Sequence, residues 1–165
     1  MSESPAGRSE VSIERSVLLW CMRVFADPPG QDGATAHIEA AFCRLGAADA
    51  APAFCRFMAV VRDGLPQAIR LNSVCWRSVG NDEYALLEAM ALAQERRPME
   101  ALLLLRGLLP PADARIALDS AAELGAHLAR AGWFLGAPAP GIRHFAMPMR
   151  LAPARPGPRA GAAGL

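Results

Sequence analysis

The chain has 165 residues, 53% of them hydrophobic and 20% charged, which is enough for one domain with a substantial core. Its net charge of +1 argues against a strongly electrostatic nucleic-acid binder, so we expect no binding to DNA or RNA. Alanine and leucine, both good helix formers, dominate the apolar residues. The composition therefore predicts an all-α domain.

Three short helices are predicted in the first part of the chain. The first follows Ser12, a plausible N-cap, and its apolar face comprises Ile13, Val17, Trp20, Cys21 and Val24. The second lies in "ATAHIEAAFCRLG", with Ile38, Ala41, Phe42 and Leu45 in the core and Gly46 in the left-handed position after its end. The third begins at Asp49 as N-cap, ends at Gly64 and places Phe54, Phe57, Met58 and Val61 in the core.

The stretch 65–80 has a different pattern, in which apolar and polar residues alternate after Pro66. We interpret it as an extended crossover, with room for a short strand-like segment. Helicity resumes at Asn81, a good N-cap, and the acidic residues that follow favour the positive end of the helix dipole.

Two further helices are predicted after the helix that starts at Asn81. "RRPMEALLLLRG" breaks and restarts the helix, with Pro98 at its first position and Gly107 after its end. The last helix runs from Pro111 to Gly132, and its narrow face of small residues lets two helix backbones approach closely; this face comprises Leu118, Ala121, Leu124, Gly125 and Leu128. The sequence thus predicts a single compact bundle of five or six helices with an extended crossover near 65–80.

Domain organisation follows from the same pattern. We expect a flexible N-terminus at 1–10, an α-helical domain at 11–135 and a disordered tail at 136–165 that is rich in Pro, Gly, Ala and Arg. No secretory signal and no apolar run long enough for a membrane span is apparent, and the four cysteines form no CxxC. These features predict a cytoplasmic protein with reduced thiols.

The crossover and the helix start after it hold the candidate site. A speculative ligand-binding pocket would comprise Cys75, Trp76, Arg77, Asp82 and Glu83. The alternative is structural: the two acids complement the helix dipole, and Glu83 reaches back to Asn81 or Ser78 as in a capping box. Cys75 is the thiol expected to be exposed, and the neighbouring arginine would lower its pKa.

Catalytic and metal-binding signatures are missing from the sequence. It has no GxSxG, no GxGxxG, no phosphate-binding loop and no paired ligands at zinc-site spacing, so we expect no catalytic residues, no metal and no cofactor. Glu123 and His127, four residues apart, are predicted to pair on a helix surface. An enzyme would need Arg77, Glu83 and a distant His37 or His127 to meet in space.

The order of these features resembles a family of small helical bacterial proteins of unknown function. The resemblance covers residues 13–131 and rests on "RSVLLWCMRVFA", "FCRFMAVVRDG" and a cysteine before "NDEYALLEAMALAQ". In that family a cysteine-containing connection precedes an acidic helix start and paired leucines, here Cys75, Asp82, Glu83, Leu86 and Leu87. It implies a helical architecture and assigns no activity.

Two functions of different classes are consistent with these observations. The first is a non-enzymatic protein-interaction module that forms a homo-oligomer or binds a protein partner, because "ALLLLRGLL" presents leucines on all sides of a helix. The second is a small-ligand-binding or thiol-based redox-sensing protein with its pocket around Cys75–Glu83.

Overall fold

The computed structural model describes residues 12–26, 31–64 and 69–136. Over these ranges the protein is an all-α bundle of six helices without a strand: α1 (Ile13–Ala26), α2 (Gln31–Arg44), α3 (Ala50–Asp63), α4 (Asn81–Gln94), α5 (Pro98–Arg106) and α6 (Pro111–Arg130). The predicted fold class is confirmed. The predicted N-terminus at 1–10 and the predicted tail at 136–165, apart from Gly136, lie outside the described residues.

The longest helix, α6, lies at the centre of the bundle. It packs against α3, α4 and α5, while α1 packs against α2, α3 and α4. The α6 residues that face inward are small or aliphatic: Ala114, Ala117, Ser120, Ala121, Leu124, Gly125 and Leu128. Their small side chains let the neighbouring helices come close to the α6 backbone.

Gly125 marks the closest of these approaches. A Cβ atom at this position would lie 2.9 Å from both the Cα and the Cβ of Gln94 on α4. Such a distance is shorter than van der Waals contact, so the α4–α6 packing requires a glycine here. The predicted role of the small-residue face is confirmed at this residue.

Gln94 also forms hydrogen bonds with the segment that follows α6. Its side-chain nitrogen donates hydrogen bonds to the carbonyl oxygens of Gly125 (3.2 Å) and Trp133 (2.7 Å), and its side-chain oxygen accepts one from the backbone N–H of Leu135 (2.7 Å). Leu135 is fully buried. The segment after α6 therefore folds back onto α4 and adds a leucine to the core.

The core is built from the faces that helical periodicity predicts in α3. Phe54, Phe57, Met58 and Val61 are all buried, and the Phe54 ring packs against Phe42 of α2 at a centroid distance of 5.6 Å. Each fully buried large apolar side chain stabilises the fold by roughly 1.5–3 kcal/mol before conformational entropy is subtracted.

The prediction for α1 was less accurate. The face that packs deepest comprises Leu18, Cys21, Met22 and Arg23, and of the five predicted residues only Cys21 is fully buried. Ile13, Val17, Trp20 and Val24 lie at the half-buried edge. This buried face includes a charged residue, Arg23, which pairs with Glu83 of α4.

Several predicted helix ends are confirmed, and the predicted N-cap of α4 is wrong. The backbone N–H of Arg15 donates to the Ser12 hydroxyl at 3.3 Å, Gly46 adopts a φ of 70°, and Pro98 occupies the first turn of α5. Asp49 is the N-cap of α3, as predicted, but its side chain makes no capping hydrogen bond. Asn81 is the first residue of α4, and the N-cap is Gly80.

Candidate functional site

The side chains of Arg23 and Glu83 form a buried, bidentate ion pair between α1 and α4. Arg23 Nε lies 2.7 Å from Glu83 Oε1, and Arg23 Nη2 lies 2.8 Å from Glu83 Oε2. The side chains are 5% and 0% exposed, respectively. Parallel N–H···O bonds of this kind fix the orientation of both groups as well as their distance.

Glu83 also accepts hydrogen bonds from the crossover. The backbone N–H of Asn72 lies 2.9 Å from Oε1, while the Asn72 side-chain amide and the backbone N–H of Gly80 lie 3.1 and 2.7 Å from Oε2. Glu83 does reach back from the first turn of α4, as in a capping box, but its partner is Gly80 and not Asn81 or Ser78.

Arg23 donates hydrogen bonds to two backbone carbonyls of the crossover. Its Nη1 donates to the carbonyl oxygen of Trp76 at 2.6 Å, and its Nη2 donates to that of Ser78 at 2.8 Å. Across the described residues, every buried side-chain nitrogen or oxygen atom has a hydrogen-bond partner. The ion pair thus replaces regular secondary structure as the means of ordering residues 72–80.

The ion pair keeps Glu83 ionised. Burial alone would raise the pKa of the Glu83 carboxyl, but the hydrogen bonds from Arg23, Gly80 and Asn72 and the positive charge of Arg23 outweigh it and hold that pKa below its ordinary value. A carboxylate so fully engaged is a structural acceptor, and it leaves no lone pair directed to solvent for a ligand.

The five predicted ligand-binding residues lie in two different environments. Cys75, Trp76 and Arg77 are exposed at the surface of the crossover, whereas the carboxylate of Glu83 points inward to Arg23. Asp82 is half-buried and accepts a hydrogen bond from the backbone N–H of Arg70 at 2.8 Å. Both acids therefore tie the crossover to the start of α4.

Three hydrogen bonds hold Trp76 although its ring faces solvent. The side chain is 59% exposed. Its indole N–H donates to the Ser78 hydroxyl at 2.6 Å, and its backbone N–H donates to the Ser73 carbonyl. The backbone carbonyl of Trp76 accepts a hydrogen bond from Arg23. The loop presents an aromatic surface in a defined orientation.

The four cysteines differ in accessibility. Cys43 and Cys75 are exposed, Cys55 is half-buried and Cys21 is buried. Burial and the nearby Cys55 raise the pKa of Cys21 to about 12, and burial together with the charge of Glu39 raises the pKa of Cys55. Both internal thiols are therefore protonated at neutral pH and behave as small apolar groups.

The two histidines within the described residues, His37 and His127, lie on helix surfaces. His37 Nδ1 lies 2.5 Å from the carbonyl oxygen of Gly33 within α2, and His127 Nε2 lies 3.8 Å from a Glu123 carboxylate oxygen on α6. Glu123 also pairs with Arg56 of α3. The predicted Glu123–His127 pair is present, and no three His, Cys, Asp or Glu side chains of the described ranges are grouped to hold a metal ion.

A shallow groove of about 460 Å³ runs between the end of α4 and α6. Alanines and Gly125 form most of its walls, and Arg96 and Arg130 lie at its rim.

In the part of the chain that the structure covers, no helix is both long and apolar enough to cross a membrane.

Helix α5 presents the most exposed large apolar side chains. Met99 and Leu103 are 69% and 68% exposed and lie four residues apart, so they share one side of the helix. On the opposite side, Ala101 and Leu105 are fully buried. The "ALLLLRGLL" segment thus divides its leucines between the core and the surface.

Arg23 is the residue of the candidate site that the sequence did not predict. Its position within the apolar run "LLWCMRVF" is the one available signal, since a charged residue surrounded by core residues requires a partner. The run does not reveal that this partner is Glu83, 60 residues further along the chain.

Comparison with known proteins identifies no relative. No family model, no curated protein and no solved structure matches the chain. The resemblance to a family of small helical bacterial proteins remains an expectation from the sequence.

Proposed function

We propose that the protein is a non-enzymatic protein-interaction module that self-associates or binds a protein partner. The observation that carries the proposal is the pair of apolar side chains on α5, Met99 and Leu103, which are about two-thirds exposed although they lie one turn apart. Single exposed hydrophobic residues are ordinary, but neighbouring ones on one helix face are typical of binding surfaces.

The hydrogen-bonded crossover supports the same proposal. Tryptophan, tyrosine and arginine are the residue types that contribute most to protein interfaces. Trp76 and Arg77 are exposed on a loop whose carbonyls Arg23 holds, and Tyr84 follows in the first turn of α4 with half of its surface exposed. A loop ordered in advance loses less conformational entropy on binding.

Sedimentation velocity and light scattering of the full chain, from about 10 µM to about 1 mM, test self-association; this range spans the affinity of weak protein interfaces. We expect the weight-average mass to rise with concentration. A mass that stays at one chain throughout would remove self-association from the proposal. Leu103→Ser, which removes apolar surface without touching the core, is the matched variant and should lower the mass at a given concentration.

A thiol-based sensor or small-ligand site around Cys75–Glu83 is the second candidate, and the exposure of Cys75 favours it. Because Glu83 is occupied by Arg23, such a site would consist of Cys75, Trp76, Arg77 and Asp82. Cys43, which is also exposed, provides an internal control. If iodoacetamide modifies Cys75 no faster than Cys43 at neutral pH, the thiol-sensing proposal fails.

A further inference from the structure

Four exposed residues of α5 and the glycine that caps its C-terminal end are arranged symmetrically about Leu103. Met99 and Glu100 lie four and three residues before it, and Arg106 and Gly107 lie three and four residues after it. All five are exposed, whereas Ala101 and Leu105 are buried. We call these five residues the α5 face.

We propose that the α5 face binds the same face of a second copy of this chain, with the two helices antiparallel and a two-fold axis at Leu103. This inference rests on the proposed self-association and specifies its surface and register. In a two-fold interface the same patch serves both subunits. Each residue must therefore meet a suitable partner at the position that the two-fold axis places opposite it.

The charges of the face satisfy this requirement. With Leu103 opposite Leu103, the residue three positions before the axis lies opposite the residue three positions after it. Glu100 of each copy therefore faces Arg106 of the other, which places opposite charges together at two points of the interface. Within its own chain Glu100 also pairs with Arg97, whose Nε lies 2.8 Å from Glu100 Oε1, so its carboxylate would bridge two arginines. A parallel arrangement would place like charges together.

The shapes of the outer residues are also complementary. Met99 lies four residues before the axis and Gly107 four residues after it, so the long Met99 side chain of one copy lies over a residue without a side chain in the other. The flexible thioether of Met99 suits a contact of this kind. The axis therefore brings together two leucines, two methionine–glycine contacts and two charge pairs.

The size of the face sets the expected affinity. A helix of nine residues is about 13 Å long, and two such faces bury less than the roughly 800 Å² per partner of a standard interface. We expect a dissociation constant in the range of about 10 µM to 1 mM, typical of a weak interface.

A charge-swap series in the full chain tests the register. Arg106→Glu places like charges opposite one another and should weaken dimerisation roughly tenfold. Glu100→Arg should have a similar effect, and it also removes the Arg97–Glu100 pair within the chain. The double variant Glu100→Arg/Arg106→Glu restores opposite charges and should return to within about threefold of the wild type. Sedimentation velocity measures the dissociation constants, and circular dichroism verifies that each variant remains helical.

Disulfide trapping tests the position of the axis. In a background with Cys43→Ser, Cys55→Ser and Cys75→Ser, Leu103→Cys should form a covalent dimer rapidly under mild oxidation, because residues on a two-fold axis meet their own copies. Ala126→Cys, an exposed position on α6, is the matched control and should react slowly.

The outcomes separate this inference from the proposed function. If the wild type associates but the single charge swaps leave the dissociation constant unchanged, or if the double variant is as weak as the singles, the α5 register is wrong and self-association stands. Equal trapping of Leu103→Cys and Ala126→Cys would also overturn the register. A wild type that is monomeric at every concentration would remove both the register and self-association.

Discussion

Arg23 and Glu83 lie 60 residues apart in sequence, yet their side chains form two parallel hydrogen bonds of 2.7 and 2.8 Å inside the bundle. Through this pair a single arginine on α1 and a single glutamate on α4 order the backbone of the connection between α3 and α4. The exposed surface of the crossover therefore depends on two residues that solvent barely reaches.

Removal of one member of this pair should strongly destabilise the protein. Arg23→Met or Glu83→Gln leaves the other charge buried without its partner, and we expect the free energy of unfolding to fall by about 3–5 kcal/mol. Urea unfolding followed by circular dichroism measures the loss. The double variant Arg23→Met/Glu83→Gln should cost about 1–3 kcal/mol less than the sum of the singles, since the residues act together.

A matched control for this prediction is the surface pair of Arg56 and Glu123, whose side chains are 51% and 50% exposed. Solvent screens such a pair, so Arg56→Met should change the free energy of unfolding by less than about 1 kcal/mol. Similar losses for Arg23→Met and Arg56→Met would contradict the structural role of the buried pair.

The pair also predicts how stability varies with pH. The folded-state pKa of Glu83 lies below its ordinary value of 4.5, so its contribution is fully present above that value and is lost as the pH falls through the folded-state pKa. The difference in free energy of unfolding between the wild type and Glu83→Gln should therefore be constant near pH 7 and shrink below about pH 4. A difference that grows in acid would refute this assignment.

Two glycine substitutions should have opposite effects. Gly125→Ala forces a methyl group against the Gln94 backbone, where no side chain can move aside, and should cost about 1–3 kcal/mol of unfolding free energy. Gly33→Ala, inside α2 with no atom within 4 Å of the new Cβ, should stabilise the protein by about 0.5–1 kcal/mol. Thermal unfolding of both variants, followed by circular dichroism, shows whether one change in stability is negative and the other positive.

Cys21 should resist modification while the protein is folded. Burial raises its thiol pKa to about 12, so both access and thiolate concentration are low at neutral pH. In a time course with iodoacetamide, mass spectrometry should detect modification of Cys43 and Cys75 first and of Cys21 last. In urea above the unfolding midpoint, the modification rates of the four cysteines should converge. Rapid modification of Cys21 in the native protein would contradict its burial.

Much of the helical organisation could be predicted from the sequence because its signals are local. Apolar spacing identifies α3, and proline at the first position with glycine after the end identifies α5. The crossover lacks both signals, which marks it as a connection. The N-cap of α4 is Gly80 instead of the predicted Asn81, because several neighbouring residues can cap a helix and their packing decides which one does.

The candidate site was only partly predictable for the same reason. The sequence by itself determined that Cys75, Trp76 and Arg77 lie in a connection and that acidic residues begin the next helix. Only the tertiary structure decided that Glu83 turns inward to Arg23, that Gln94 holds Trp133 and Leu135, and that α5 exposes Met99 and Leu103. Local periodicity tells which residues share a helix face, but the partner of a buried charge or amide depends on which distant segments the packed core brings within hydrogen-bonding distance.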